Sequence, residues 1–146
     1  MRSHERVTLH SLEPGAGNGT PVVLLHGYTE TSRVWRPLTD TLGEGRVVIA
    51  PDLPGVGDSG MLDKGHDKAT VARDIHTLVR KLGFCKVNLV GHDLGLMVAC
   101  AYAAQYPHEV DGVVFMDALL PGIGDVVVGV AAARQVAFPF PRRHAA

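Results

Sequence analysis

Apolar positions along this chain fall into short continuous runs separated by amphipathic stretches, and the two kinds of segment alternate. Pro21-Val22-Val23-Leu24-Leu25 and Arg46-Val47-Val48-Ile49-Ala50 are almost unbroken apolar runs, the mark of strands buried on both faces. Lys86-Val87-Asn88-Leu89-Val90 and Val110 to Met116 predict two further strands. Nearer the N-terminus, Val7-Thr8-Leu9-His10 alternates as a short strand does, and the glycine-rich stretch from Pro14 to Gly19 predicts a turn. Between these runs the apolar period lengthens to that of a helix. Val34, Trp35, Leu38 and Leu42 stand at helical spacing behind a capping Thr31 or Ser32, with Gly43 and Gly45 as stops. From Lys68 to Leu82, Val71, Ile75, Leu78, Val79 and Leu82 share one face, while Arg73, Asp74, Thr77, Arg80 and Lys81 occupy the other. Gly83 is the C-cap. A third helix runs from Leu94 to Gln105 and is stopped by Pro107.

Strands alternating with helices predict the α/β class, a parallel sheet with helices on both faces. In such sheets the functional loops lie beyond the carboxyl ends of the strands. Three loops of that kind, after Leu25, after Val90 and after Met116, carry polar or glycine-rich residues and are expected to converge.

Composition narrows the function classes. A chain of 146 residues, 46% hydrophobic and 20% charged, suits one globular domain with one core. A formal net charge of −1 gives no electrostatic case for a nucleic-acid or membrane-surface partner. No apolar run reaches the roughly 18 residues of a membrane-spanning helix, and residues Met1 to His10 have no signal-peptide apolar region. Cys85 and Cys100 fit no metal spacing and read as small buried hydrophobes, with a reducing cytosol as the default compartment. The eight histidines are dispersed and form no metal-ligand pair. No metal is implied.

The chemistry sits in Gly91-His92-Asp93-Leu94-Gly95, which joins a predicted strand to a predicted helix. G-x-nucleophile-x-G in that context is a nucleophile elbow. The middle residue is usually serine; here it is Asp93. A serine acylates, whereas an aspartate attacks a saturated carbon and holds it as an ester. The turn also places the carboxylate at a helix N-terminus, whose partial positive charge favours an anion. The plainer alternative is a helix-start carboxylate in a turn. No G-x-S-x-G occurs, which disfavours a serine hydrolase.

Taken with Leu24-Leu25-His26-Gly27-Tyr28 and the segment from Asp52 to Ser59 (DLPGVGDS), the elbow resembles the epoxide hydrolase and haloalkane dehalogenase branch of the α/β-hydrolases over about residues 20 to 125. Each motif alone is short; the three in order, each ending a predicted strand, are specific. The resemblance implies a cofactor-free hydrolase acting on a small molecule, an epoxide or an organohalide. Asp93 is then the nucleophile, and the backbone N–H groups of Tyr28 and Leu94 form the oxyanion hole. Gly27 permits close approach, and His26 supports the loop rather than transferring protons. Asp117 stands where some dehalogenases keep the acid that orients a water-activating histidine; a polar residue ending a strand is the alternative. His92 holds the turn, and Asp52, Asp58 and Ser59 bond within their own loop. Trp35 belongs to the core, and Tyr28 is either pocket wall or packing.

The chain also departs from that pattern. Thr29 replaces the usual proline, and Tyr28 and Leu94 stand where dehalogenases place an asparagine and a tryptophan for the halide. That favours an epoxide, with a haloalkane or haloacid dehalogenase as the second reading. No histidine follows a late strand to activate water, and a cap and the last strands are missing. The N-terminal half of the fold, residues 1–125, is therefore followed by an atypical tail, 126–146. Codons chosen for Arg134 to Ala146 can be read one base later as GKWHFPFHAAMP, a string resembling the family's cap region, which suggests a frameshift near residue 126. A third reading is a truncated, non-catalytic fragment with an exposed apolar face.

Overall fold

The two valines and two leucines of β2 (Val22–Leu25) are all buried, because both faces of the sheet are covered at this position. The computed structural model describes residues 9, 11–12, 17–61, 65–117 and 136–137. In it, β2 runs parallel between β3 (Val48–Pro51) and β4 (Val87–His92), and β5 (Val110–Met116) lies parallel on the far side of β4. The two-residue strands β1 (Ser11–Leu12) and β6 (Val136–Ala137) add antiparallel at the edges, giving the order β1-β3-β2-β4-β5-β6. The expected α/β architecture is observed.

Chain order and spatial order together make the sheet functional. From β2 the chain crosses to β3 on one side; from β4 it crosses to β5 on the other. The loops leaving the carboxyl ends of β2 and β4 therefore diverge, and a crevice opens between them.

A 3-10 turn (Ser32–Trp35) leads into α1 (Arg36–Leu42), with Thr31 as N-cap accepting from the Arg33 N–H. The first turn winds at three residues rather than 3.6, so Val34, expected on the apolar face, is exposed while Trp35 is buried. Helix α2 (Lys68–Lys81) is capped by Asp67 and buries Val71, Ile75 and Val79. Leu82 falls just beyond its end and is exposed, contrary to its assignment to the buried face. Helix α3 (Leu94–Gln105) spans the predicted residues.

Helices α2 and α3 cover one face of the sheet, where Ile75, Val79, Val98 and Tyr102 meet Val23, Leu25, Ile49, Leu89 and Val113. On the other face Trp35, Leu38 and Leu42 cover Val22, Leu24, Val48 and Ala50. Among the described residues that second face is only partly covered beyond α1. A groove of about 610 Å³ is lined there by Val22, Leu42, Val90 and Val114 among others.

The cysteines depart from expectation. Cys85 is exposed in the loop between α2 and β4, and Cys100 is half-buried; both thiols are free. Burial raises the Cys100 pKa. Among the described residues no helix is long and apolar enough to cross a membrane. Of the expected strand from Val7 to His10 only Leu9 is described, without strand geometry, and residues 14–16 of the expected turn are not described. The tail from 126, apart from β6, also lies outside the described residues.

Candidate active site

The crevice between β2 and β4 is built from two loops and a turn. At the end of β2, His26 is buried with both ring nitrogens engaged. Nδ1–H donates to the Gly27 carbonyl at 2.9 Å, and Nε2 accepts from the Leu53 N–H at 2.9 Å. Those two bonds fix a neutral tautomer and tie the β2 loop to the β3 loop. A second tie runs through buried Asp52, whose Oδ1 accepts from the Ser32 N–H at 2.7 Å and whose Oδ2 accepts from the Asp58 N–H at 2.9 Å. Ser59 Oγ donates to the Asp52 carbonyl. Asp52 thus reaches outside its own loop as well as bonding within it.

After β4 the chain turns sharply through Asp93, at φ 51° and ψ −115°, before α3 begins. That backbone is strained for a residue with a side chain. It is held by the Asp93 N–H, which donates to the Met116 carbonyl at 3.1 Å, and by the Asp93 carbonyl, which accepts from the Leu96 N–H. Two glycines let the parts close up. A Cβ on Gly95 would lie 2.1 Å from the Leu25 carbonyl oxygen, so helix α3 sits directly on β2. A Cβ on Gly27 would lie 2.8 Å from Asp93 Cβ and 3.0 Å from His92 Nδ1.

The Asp93 carboxylate does not cap α3. It turns instead toward the β2 loop, where the Tyr28 N–H donates to Oδ2 at 2.9 Å. The Tyr28 side chain is 71% exposed, so this residue meets the site through its backbone. Leu94 opens α3, and its N–H has no carbonyl within the helix to donate to. Gly27, Tyr28 and Asp93 are thereby brought together, with His26 beneath them.

Glu30 carries no motif of its own in the sequence, yet it joins the two loops. Its Oε2 accepts from the Gly27 N–H at 2.9 Å and from His92 Nδ1 at 3.0 Å. The Gly27 N–H first, and then His92, hold the Glu30 carboxyl below its usual range despite some burial. The signal that could have revealed it is local: a carboxylate three residues after a glycine can reach back to that glycine's N–H. Thr29 between them takes φ 60°. On its other side, His92 Nε2 lies 3.7 Å from Asp117 Oδ2. Asp117 is exposed and itself at φ 51°. Trp35 joins the core, with its Nε1 lacking a hydrogen-bond partner among the described residues. Among the described residues no group of three His, Cys, Asp or Glu side chains could hold a metal ion.

Known proteins resemble this chain in sequence and in fold. The chain is 43% identical over 108 residues to a soluble epoxide hydrolase of Corynebacterium sp. strain C12, covering 74% of this chain and 37% of that protein. It is 32% identical over 109 residues to a haloalkane dehalogenase of Bradyrhizobium diazoefficiens, covering 75% and 35%. Among solved structures, Cfl2 from Burkholderia cenocepacia superposes with a TM-score of 0.77 at 35% identity, covering 86% of this chain and 43% of Cfl2. The chain thus spans well under half the length of these relatives. The α/β hydrolase fold family matches residues 20–143, past the 125 to which the motifs reach. With its parallel sheet and the crevice at its switch point, this chain belongs to the α/β hydrolase fold family.

Proposed function

We propose that this chain carries the nucleophile half of an epoxide hydrolase site, with Asp93 as the attacking residue. The observation that carries this reading is the bond from the Tyr28 N–H to Asp93 Oδ2. It gives the two carboxylate oxygens different roles. Oδ1 attacks a ring carbon of the epoxide, the ring C–O bond breaks, and its electron pair goes to the epoxide oxygen, which takes up a proton. Oδ2 becomes the carbonyl oxygen of the alkyl-enzyme ester. When water adds to Cγ, the negative charge collects on Oδ2, where the Tyr28 N–H already points and the Leu94 N–H is the second donor. Collapse releases the diol and restores the carboxylate. Gly27 provides the close approach this geometry needs, and His26 holds the loop without exchanging protons.

Among the described residues Asp117 approaches His92, and no base for ester hydrolysis is assigned among them. The predicted behaviour is ester formation without rapid turnover. Intact-mass measurement after incubation with styrene oxide tests it. An adduct that maps to the Asp93 peptide and is absent from Asp93→Asn is expected. No adduct, or one on another residue, overturns the reading, and rapid diol formation removes the stalled ester.

The second reading, a dehalogenase using the same Asp93, draws on the Bradyrhizobium relative. Tyr28 and Leu94 supply no side-chain N–H for a leaving halide. Halide release from a short bromoalkane faster than reaction with the epoxide would favour it.

A further inference from the structure

The site contains a hydrogen-bonded Glu30–His92 pair that the proposed chemistry does not use. Glu30 Oε2 sits between the Gly27 N–H, at 2.9 Å, and His92 Nδ1, at 3.0 Å. Gly27 directly precedes Tyr28, and His92 directly precedes Asp93. One carboxylate oxygen therefore holds the residue before the amide donor and the residue before its acceptor. The Gly27 carbonyl also accepts from the Glu30 N–H, at 3.3 Å, so the four-residue loop is closed at both ends. Thr29 at φ 60° and Asp93 at φ 51° make both loops locally unfavourable, and such backbone persists only where neighbours over-determine it. Asp117 approaches the far ring nitrogen of His92, so all three carboxyl-end loops meet at this imidazole.

We propose that Glu30 and His92 are positioning residues that set the Tyr28 amide against the Asp93 carboxylate by tying the β2 loop to the elbow. Neither touches the substrate. Their effect passes through the Tyr28–Asp93 bond, and a misplacement of about 1 Å at such a site can cost about a hundredfold in rate. The proposal rests on the Asp93 reading for its rate consequence, but its geometry can be tested without any substrate.

The substrate-free test is a double-mutant cycle read by the Tyr28 backbone amide in a ¹⁵N–¹H correlation spectrum of the 146-residue chain. Asp93→Asn is expected to shift that resonance strongly in the wild-type background. In Glu30→Ala the same change is expected to move it much less, because the amide no longer meets residue 93. Glu30→Gln, whose carbonyl still accepts from the Gly27 N–H, is expected to restore most of the response. His92→Ala keeps the bond within the loop but unties the elbow, and is expected to behave like Glu30→Ala. Alkylation by styrene oxide should slow at least about tenfold in both alanine variants.

A full Tyr28 response in Glu30→Ala, or in His92→Ala, overturns the positioning role. If Glu30→Ala does not fold, Glu30→Gln and His92→Ala decide between the outcomes. If the wild type forms no adduct, the nucleophile reading fails while the amide cycle still decides this one.

Discussion

At the residue scale, the site depends on what its smallest members leave out. A Cβ on Gly27 would meet Asp93 Cβ, His92 Nδ1 and Glu30 Oε2 together. Gly27→Ala is therefore expected to destabilise by about 1–3 kcal/mol, as overpacking does, and to abolish the Tyr28–Asp93 bond; an unchanged urea midpoint and Tyr28 amide shift would contradict this. Trp35 presents the opposite case. Among the described residues its buried indole N–H has no partner, a cost of about 1–3 kcal/mol that offsets much of what the ring gains by burial. Trp35→Phe should leave stability within about 1 kcal/mol of wild type by denaturant titration. A loss above about 3 kcal/mol would show that the ring's packing outweighs the unsatisfied donor. The place of Asp93 at the tip of the turn was legible from sequence because it follows from a local pattern of glycines between a strand and a helix. The tie from Glu30 to the elbow was not, because its partner His92 is 62 residues away and the local signal, a carboxylate three residues after a glycine, marks only the bond to Gly27.

At the element scale, helix α2 and the short 3-10 turn after α3 (Pro107–Glu109) are joined by a polar clasp. His76 Nε2 lies 2.7 Å from Glu109 Oε2, Arg80 donates to Glu109 Oε1 at 2.6 Å, and the His76 ring stacks on Tyr106 at 3.8 Å. Burial pushes the Glu109 carboxyl upward, but the bonds from His76 and Arg80 outweigh it and leave the pKa lowered. Glu30 is lowered as well, first by the Gly27 N–H. Both groups then bind protons less readily folded than unfolded. Their contribution is complete above the usual value of 4.5 and is lost as pH falls through the depressed folded values. The urea midpoint is expected to drop below about pH 4.5, and to drop less steeply in Glu109→Gln and Glu30→Gln. Equal acid slopes in all three proteins would refute the assignment. Ile75 of α2 is fully buried in the larger core cluster, so Ile75→Ala should cost about 2–5 kcal/mol.

At the scale of the whole molecule, among the described residues, one sheet face is closed by α2 and α3 and the other only partly by α1. Gly95→Ala probes the closed side: its Cβ would lie 2.1 Å from a backbone oxygen of β2, where no side chain can give way. That substitution is expected to cost about 3 kcal/mol or more and to lower expression; near-wild-type stability would mean that α3 can move off β2. The reading of residues 126–146 as out of frame remains a proposal at this scale. It predicts that the downstream nucleotide sequence, in the shifted frame, stays open and encodes a later histidine. An early stop in that frame would refute it.

The sequence by itself determined the strand and helix alternation, the α/β class and the elbow with aspartate at its tip. These depend on apolar period, capping residues and glycine spacing, all of which act over a few neighbours. The 3-10 first turn that exposes Val34, the exposure of Leu82 and Cys85, and the burial of Trp35 were decided by packing. Only the tertiary structure joined the Tyr28 amide to Asp93 and Glu30 to His92. Those contacts arise because the chain reverses direction across the sheet between β2 and β4, bringing together loops that lie more than sixty residues apart.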